Sequence, residues 1–220
     1  MPIQWSHSRL QTFEQCNKRF YHQYVVKDVK DTMHPSALWG NDVHKAIENY
    51  VRDGTPLPSN MGQYTPFAEI ARSLPGVQAE VQMAVDSNWA PTDWFSPDAW
   101  GRGISDILAF EGDTAAVIDW KTGKYRGDTG QGAVNAILTF MHYPTINKVR
   151  TQFVYFTSGK VDDTTYKRED LAHIMAPTLQ TIRRVETCAD TGVWTPNPTG
   201  LCAYCPVTRC QYNRSMERSK

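Results

Sequence analysis

Gly103-Ile-Ser-Asp106-Ile-Leu-Ala-Phe110 and Thr114-Ala-Ala-Val-Ile-Asp119-Trp-Lys121-Thr122 decide the reading of this chain. Both runs are strands, and Glu111-Gly112-Asp113 between them is a turn, so the stretch reads as an antiparallel hairpin. Successive side chains alternate across a strand. Asp119 and Lys121 therefore project together, while Trp120 points the other way, into packing. Asp106 interrupts an otherwise mostly apolar strand (Ile104, Ile107, Leu108, Phe110), where a charge is costly unless it is paired or bound to a metal. Thr122-Gly123-Lys124 turns the chain away, which puts the charged residues at the strand's end, where sites in α/β sheets open.

Two readings of these residues stand side by side. One is an Asp–Lys salt bridge at a sheet end. The other is metal-assisted phosphodiester hydrolysis. Two carboxylates offer hard oxygen ligands for Mg²⁺ or Mn²⁺. The lysine orients the attacking water or offsets charge on the phosphate oxygens.

Upstream, residues 6–25 read as one helix capped by Ser6 or Ser8, with Leu10, Phe13, Phe20 and Tyr24 at helical spacing and Cys16 within the stripe. A second helix is expected over 36–51, ended by Gly54-Thr-Pro56-Leu-Pro58. A short helix at 64–74 and a strand from Val77 to Val85 precede an irregular aromatic segment, 87–100. That segment is read as loop packing, with base stacking as the functional alternative. Downstream, a polar loop from Gly123 to Gly132 leads into a helix over 131–141, a strand at 152–157 and a long helix at 169–188. Helices alternating with strands imply an α/β fold, a mixed central sheet flanked by helices.

The 220 residues are 40% hydrophobic and 21% charged, which excludes a disordered chain. No apolar run reaches the ~18 residues of a membrane helix, and no signal peptide is visible, so a cytoplasmic protein with no membrane partner is expected. The net charge is zero but unevenly spread. Residues 1–30 hold five basic and two acidic side chains, and residues 201–220 hold four and one, so each end is +3 and the middle is −6. Basic ends around an acidic centre suit an anionic partner held over cation-binding carboxylates; solvated termini explain the charge equally well. Arg9, Lys18, Arg19, Arg209 and Arg214 are the candidate contacts to a nucleic-acid backbone.

Cys202, Cys205 and Cys210 fall within nine residues and form a ligand-like group. Without a secretion signal, a disulfide framework is not expected. Three thiolates leave a tetrahedral site one short, and Cys16 completes it if the first helix packs against the tail. Cys188 lies outside the pattern and reads as a small buried hydrophobe.

Asp106 followed by Asp119-Trp120-Lys121 resembles the PD-(D/E)XK nuclease signature. The resemblance covers most of the chain and is strongest to RecB-like and CRISPR-adaptation nucleases that carry an iron–sulfur cluster. Ser6-His-Ser-Arg9-Leu10 with Cys16 and Arg19-Phe20 is similar to their opening, Gly40-x-x-x-His44 to their G-x-x-x-H motif, and Asp119-Trp-Lys-Thr-Gly-Lys124 to their D-x-K-T-G-K segment. The first acid follows Ser105 rather than proline, and Asn135 stands four residues after Gln131, where the usual glutamine-to-tyrosine pattern is not clean.

The resemblance implies a restriction-endonuclease-like core with Asp106, Asp119, Lys121 and Gln131 as catalytic residues. It implies Mg²⁺ or Mn²⁺ held by His44, Asp106, Asp119 and the Trp120 carbonyl. Glu80, in the strand before the hairpin, is a further ligand or a solvent-facing strand residue. A 4Fe–4S cluster, with zinc as the alternative, is implied on Cys16, Cys202, Cys205 and Cys210. The expected organisation is an N-terminal helical segment over 1–30, the nuclease core over 31–190 and a cysteine-rich segment over 191–220. The implied function is a DNA exonuclease on single-stranded or frayed ends; a non-catalytic DNA-binding adaptor and a structure-specific endonuclease are the alternatives. DNA is the implied partner, with a helicase, a recombinase or a CRISPR-adaptation protein beside it.

Overall fold

A computed structural model describes residues 3–30, 35–127 and 130–215. Two compact units emerge: residues 34–176, and residues 1–33 together with 177–220. Arg218 and Lys220, counted in the basic tail, and residues 128 and 129 of the polar loop lie outside the described residues.

The larger unit is built on a six-stranded mixed sheet of order β2-β1-β3-β4-β5-β6. Its strands are β1 (Gln78–Val85), β2 (Pro91–Thr92), β3 (Gly101–Glu111), β4 (Thr114–Lys121), β5 (Lys148–Tyr155) and β6 (Lys160–Lys167). Only β4 and β5 run parallel. Helix α5 (Gln131–His142) makes the crossover between them, as a parallel pair requires. Helices α3 (Pro35–Asp53) and α4 (Thr65–Ser73) pack against Ile107, Ile118 and Trp120. The residues of opposite parity, Leu108, Ala115 and Val117, pack with Ala136, Ile137 and Phe140 of α5. The alternation of the hairpin thus builds two apolar layers, one on each face of the sheet.

Within the sheet, β5 and β6 differ most from the sequence reading. β5 begins at Lys148, four residues earlier than expected, because Lys148 and Arg150 point outward while Val149 and Thr151 are buried. β6 was not expected at all. Its sequence, Lys-Val-Asp-Asp-Thr-Thr-Tyr-Lys, is an edge strand exposed along nearly its whole length, so no apolar period marks it.

In the smaller unit, the expected helix over 6–25 is interrupted. It divides into α1 (His7–Gln15), α2 (Asn17–Phe20) and a π-helical turn over Tyr21–Val25. Ser6 caps α1 by accepting from the Arg9 N–H at 3.3 Å. The break is Cys16, whose backbone is extended (φ −167°, ψ 111°) and whose Sγ accepts from the Asn197 N–H at 3.4 Å. Trp194 stacks on Phe20 and Tyr21 at centroid distances of 5.9 and 5.3 Å, which ties the chain beyond residue 177 to these helices. Helix α6 (Leu171–Thr191) runs through the boundary between the units, which falls at its internal Pro177.

Candidate metal centre and cysteine cavity

The register of the sheet opens at the acidic residues. β3 and β4 pair from Glu111↔Thr114 up to Ile107↔Ile118 and no further. Asp106 and Asp119 would form the next rung. There the Asp106 carboxylate enters the gap, and its Oδ2 accepts from the Trp120 N–H at 2.8 Å. On the other side of β3 the same rung is missing between Ala79↔Ile107 and Val81↔Ser105, which places Glu80 opposite Asp106. Glu80 has φ +52°, a left-handed conformation unusual for a glutamate in a strand. Three adjacent strands therefore bring one carboxylate each to a single rung.

Helix α3 closes this group from one face. His44 Nδ1 lies 3.2 Å from Asp106 Oδ1. Its approach depends on Gly40. A Cβ there would stand 2.9 Å from Thr122 Oγ1, just past the end of β4, so glycine lets the helix come close to the strand one turn before His44 without displacing that hydroxyl. Gly40→Val is expected to displace α3 and lower activity at least ten-fold while the far-UV circular dichroism of the fold persists; unchanged activity would deny this role to the close approach.

Single ligand atoms of His44, Glu80 and Asp106 lie within 4.8 Å of one another, all three residues half-buried. Oxygen and imidazole donors in this number suit Mg²⁺ or Mn²⁺. Asp119, the third carboxylate of the rung, meets the lysine. It is buried, its Oδ2 is 2.6 Å from Lys121 Nζ, and its Oδ1 accepts from Gln131 Nε2 at 2.6 Å. Gln131 Oε1 accepts from the same Nζ at 2.8 Å, which closes an Asp119–Lys121–Gln131 triangle. Lys121 also lies over the Phe153 ring at 5.2 Å. Gln131 is the first residue of α5, so the helix start fixes the lysine.

The electrostatics are those of crowded acids. Burial and the neighbouring Asp106 charge push Asp119 up to about 6, with Lys121 opposing. Burial, then Asp106 and Glu48, raise Glu80. At His44, burial opposes the charged form, but Asp106 and Asp119 outweigh it and raise the imidazole above its ordinary value. In each case the folded state holds its proton more tightly than the unfolded chain. Stability supplied by that proton is present at low pH and lost as pH rises through the folded values, for Asp119 between about 4 and 6. In chelator, the wild-type melting temperature should therefore fall more than that of Asp119→Asn between pH 4.5 and 6.5. Equal shifts would exclude Asp119 as the group responsible.

One further residue shares the α5 start. Asn135, one turn after Gln131, is 3% exposed, and its Nδ2 has no hydrogen-bond partner among the described residues. The i, i+4 spacing marks it in the sequence, but its burial does not show there.

In the smaller unit, Cys16, Cys202, Cys205 and Cys210 line one cavity with Lys18, Arg19, Pro196 and Asn197. Two sulfurs accept backbone N–H groups, Cys16 from Asn197 and Cys202 from Thr199, each at 3.4 Å. Burial raises Cys205, the first cause of its shift. A lone zinc ion would draw four sulfurs to about 3.8 Å apart, from its 2.3 Å bonds and tetrahedral angle. No such tight group of three sulfurs occurs among the described residues, where His44, Glu80 and Asp106 form the compact ligand group. Four thiol side chains lining one cavity are a donor set that either a 4Fe–4S cluster or zinc can take. Cys188 is half-buried and stands outside it, with Asn17 Nδ2 at 3.8 Å.

The proposed backbone-binding cations are largely engaged within their own unit. Arg9 covers Tyr24, Arg19 donates to Gln23, Arg209 pairs with Asp28, and Arg214 donates to the Thr199 carbonyl. In the aromatic segment, Trp89 and Trp100 pack edge to face at 5.4 Å, whereas Phe95 is 87% exposed.

Comparison with known proteins places this geometry in context. Residues 4–211 match the family described as PD-(D/E)XK nuclease superfamily. The chain is similar to the crystal structure of the Eubacterium rectale "Putative exonuclease", at 13% identity and TM-score 0.56, covering 97% of this chain and 88% of that one. It is similar to the structure of SSO0001 at 12% identity and TM-score 0.51, with the same coverage. At these identities the likeness is one of fold. Among curated proteins there is no significant match.

Proposed function

Since the chain belongs to the PD-(D/E)XK nuclease superfamily, whose substrate is nucleic acid, we propose that it is a Mg²⁺- or Mn²⁺-dependent deoxyribonuclease, an exonuclease acting on single-stranded or frayed DNA ends. The observation that carries the proposal is the rung shared by Glu80, Asp106 and Asp119, closed by His44 on one side and by Lys121–Gln131 on the other. His44, Glu80, Asp106, Asp119 and the Trp120 carbonyl would hold the cation. When bound, it polarises the scissile phosphate and lowers the pKa of the attacking water. Asp106 is held in place by the Trp120 N–H and His44, so it needs no reorganisation to act. Lys121, fixed by Asp119 and Gln131, presents its ammonium to the developing negative charge on the phosphate oxygens. Gln131 positions Lys121 and does not itself touch the reacting atoms.

Cys16, Cys202, Cys205 and Cys210 would hold a 4Fe–4S cluster. Its work is structural: it joins the N-terminal helices to the tail across nearly the whole chain. No described helix is long and apolar enough to cross a membrane. The reading places the enzyme in DNA recombination or repair, phage DNA metabolism or CRISPR adaptation, in the cytoplasm, beside a helicase, recombinase or adaptation partner.

End-labelled single-stranded DNA incubated with cluster-replete protein and Mn²⁺ should lose its label, and circular single-stranded DNA should stay whole. Cleavage of the circle would replace the exonuclease with an endonuclease. Tight binding without cleavage of either would replace it with a DNA-binding adaptor.

A further inference from the structure

The loop that leaves the catalytic strand carries a second feature of the same end of the sheet. Between Lys121 and Gln131 the sequence holds Lys124, Tyr125 and Arg126, with Asp128 as its one acid. All three of the first are exposed, and Tyr125 is 42% exposed. An exposed tyrosine in a loop is ordinarily mobile; this one is held. Its hydroxyl donates to Asp162 Oδ1 at 2.8 Å, and its ring meets Tyr155 edge to face at 5.0 Å. Lys160 Nζ lies over the ring at 4.3 Å from its centroid. The loop backbone is tied down as well. Tyr155 donates to the Gly127 carbonyl at 3.2 Å, and Thr157 donates to the Thr122 carbonyl at 3.0 Å. Tyr155 and Lys160 are register partners at the ends of β5 and β6, beside the end of β4 that carries Lys121.

We infer that Tyr125, braced by Lys160 over one face of its ring and flanked in the loop by Lys124 and Arg126, is a stacking platform for an unpaired base of a single DNA strand, with Lys124 and Arg126 taking the flanking phosphates. This deepens the nuclease reading and rests on it for the identity of the strand. An aromatic ring stacks on any base, because every base has a π face, and basic side chains beside it follow the backbone. A ring already fixed by three partners loses little freedom on binding, which favours affinity. The loop continues directly from Lys121, so a strand lying on Tyr125 passes close to the catalytic rung. A base inside a duplex has both faces covered by the neighbouring pairs it stacks on, which favours single-stranded DNA over duplex.

The test measures binding of a fluorescent single-stranded oligonucleotide in Mn²⁺, with every variant made in a Lys121→Ala background so that cleavage does not intrude. Tyr125→Ala should weaken binding about 5- to 150-fold. Tyr125→Phe, which loses only the Asp162 bond, should bind like the parent. Lys124→Ala with Arg126→Ala should reduce the slope of log affinity against log salt by about 1.4. Parental affinity in Tyr125→Ala, or equal losses in the Phe and Ala variants, overturns the platform and leaves the nuclease reading standing. Weaker binding by Tyr125→Ala alone, beside a wild type that does not cut, supports the platform and removes the nuclease reading. Failure of every version to bind single-stranded DNA overturns both.

Discussion

Lys121→Ala should lower DNA cleavage about a hundred- to a thousand-fold while binding of the same oligonucleotide changes little. The magnitude is that of removing one preorganised group aimed at developing charge in a dry site. The structure supplies the preorganisation. Lys121 Nζ is 2.6 Å from Asp119 Oδ2, 2.8 Å from Gln131 Oε1 and packed over Phe153, so its position is set before substrate arrives. Little loss of binding is expected because one ammonium among many cations contributes a small share of a salt-dependent affinity. Lys121→Arg should not restore activity, since a planar guanidinium cannot occupy a point fixed by one carboxylate and one amide oxygen in the same way. Gln131→Ala should fall between wild type and Lys121→Ala, because Asp119 still holds the lysine. Equal cleavage by wild type and Lys121→Ala would place the chemistry elsewhere. Lys121→Ala should also be less stable without a cation, as Asp119 then stays buried beside Asp106 with its main compensating charge gone.

The parts of this arrangement that were legible in the sequence share a property: they are local. The alternation in β3 and β4 gave the hairpin, the parity of Asp119 and Lys121, and the burial of Trp120, because each depends only on spacing along a strand. Gly40 and His44 were legible as a motif, though the reason for the glycine, its approach to Thr122, is tertiary. The grouping of ligands was not legible. Glu80 and Asp106 meet only through the register of β1 on β3, and the left-handed backbone at Glu80 leaves no mark on the residue type. Asp119 was legible as the carboxylate that shares the rung with Asp106; its contacts with Lys121 and Gln131, fixed by where α5 begins, were not. β6 carries no signal in the sequence because an exposed edge strand needs no apolar side chains. The single helix expected over 6–25 failed at Cys16 because periodicity does not register a residue whose side chain is wanted elsewhere.

That diversion of Cys16 is the basis of the second large effect. Cys16→Ala and Cys205→Ala should each lose bound iron and visible absorbance, and the melting temperature should fall by roughly 10–20 °C. A cross-link that closes nearly the whole chain restricts the unfolded state by about 5 kcal/mol on the chain-entropy account, and for a protein of this size each kcal/mol corresponds to a few degrees. The loss should be concentrated in residues 1–33 and 177–220, where the four cysteines line one cavity and where local protection from proteolysis would report it. Cys188→Ala provides the contrast. Cys188 is a half-buried thiol outside that cavity, so its loss should leave iron content intact and shift the melting temperature by no more than a few degrees. Metal analysis separates the two candidate occupants, since iron with acid-labile sulfide identifies the cluster and one zinc per chain identifies the single ion. Cys16→Ala retaining full metal and full stability would break the link between the two ends of the chain. The extended backbone at Cys16 and the N–H bond from Asn197 would then be features of helix packing alone.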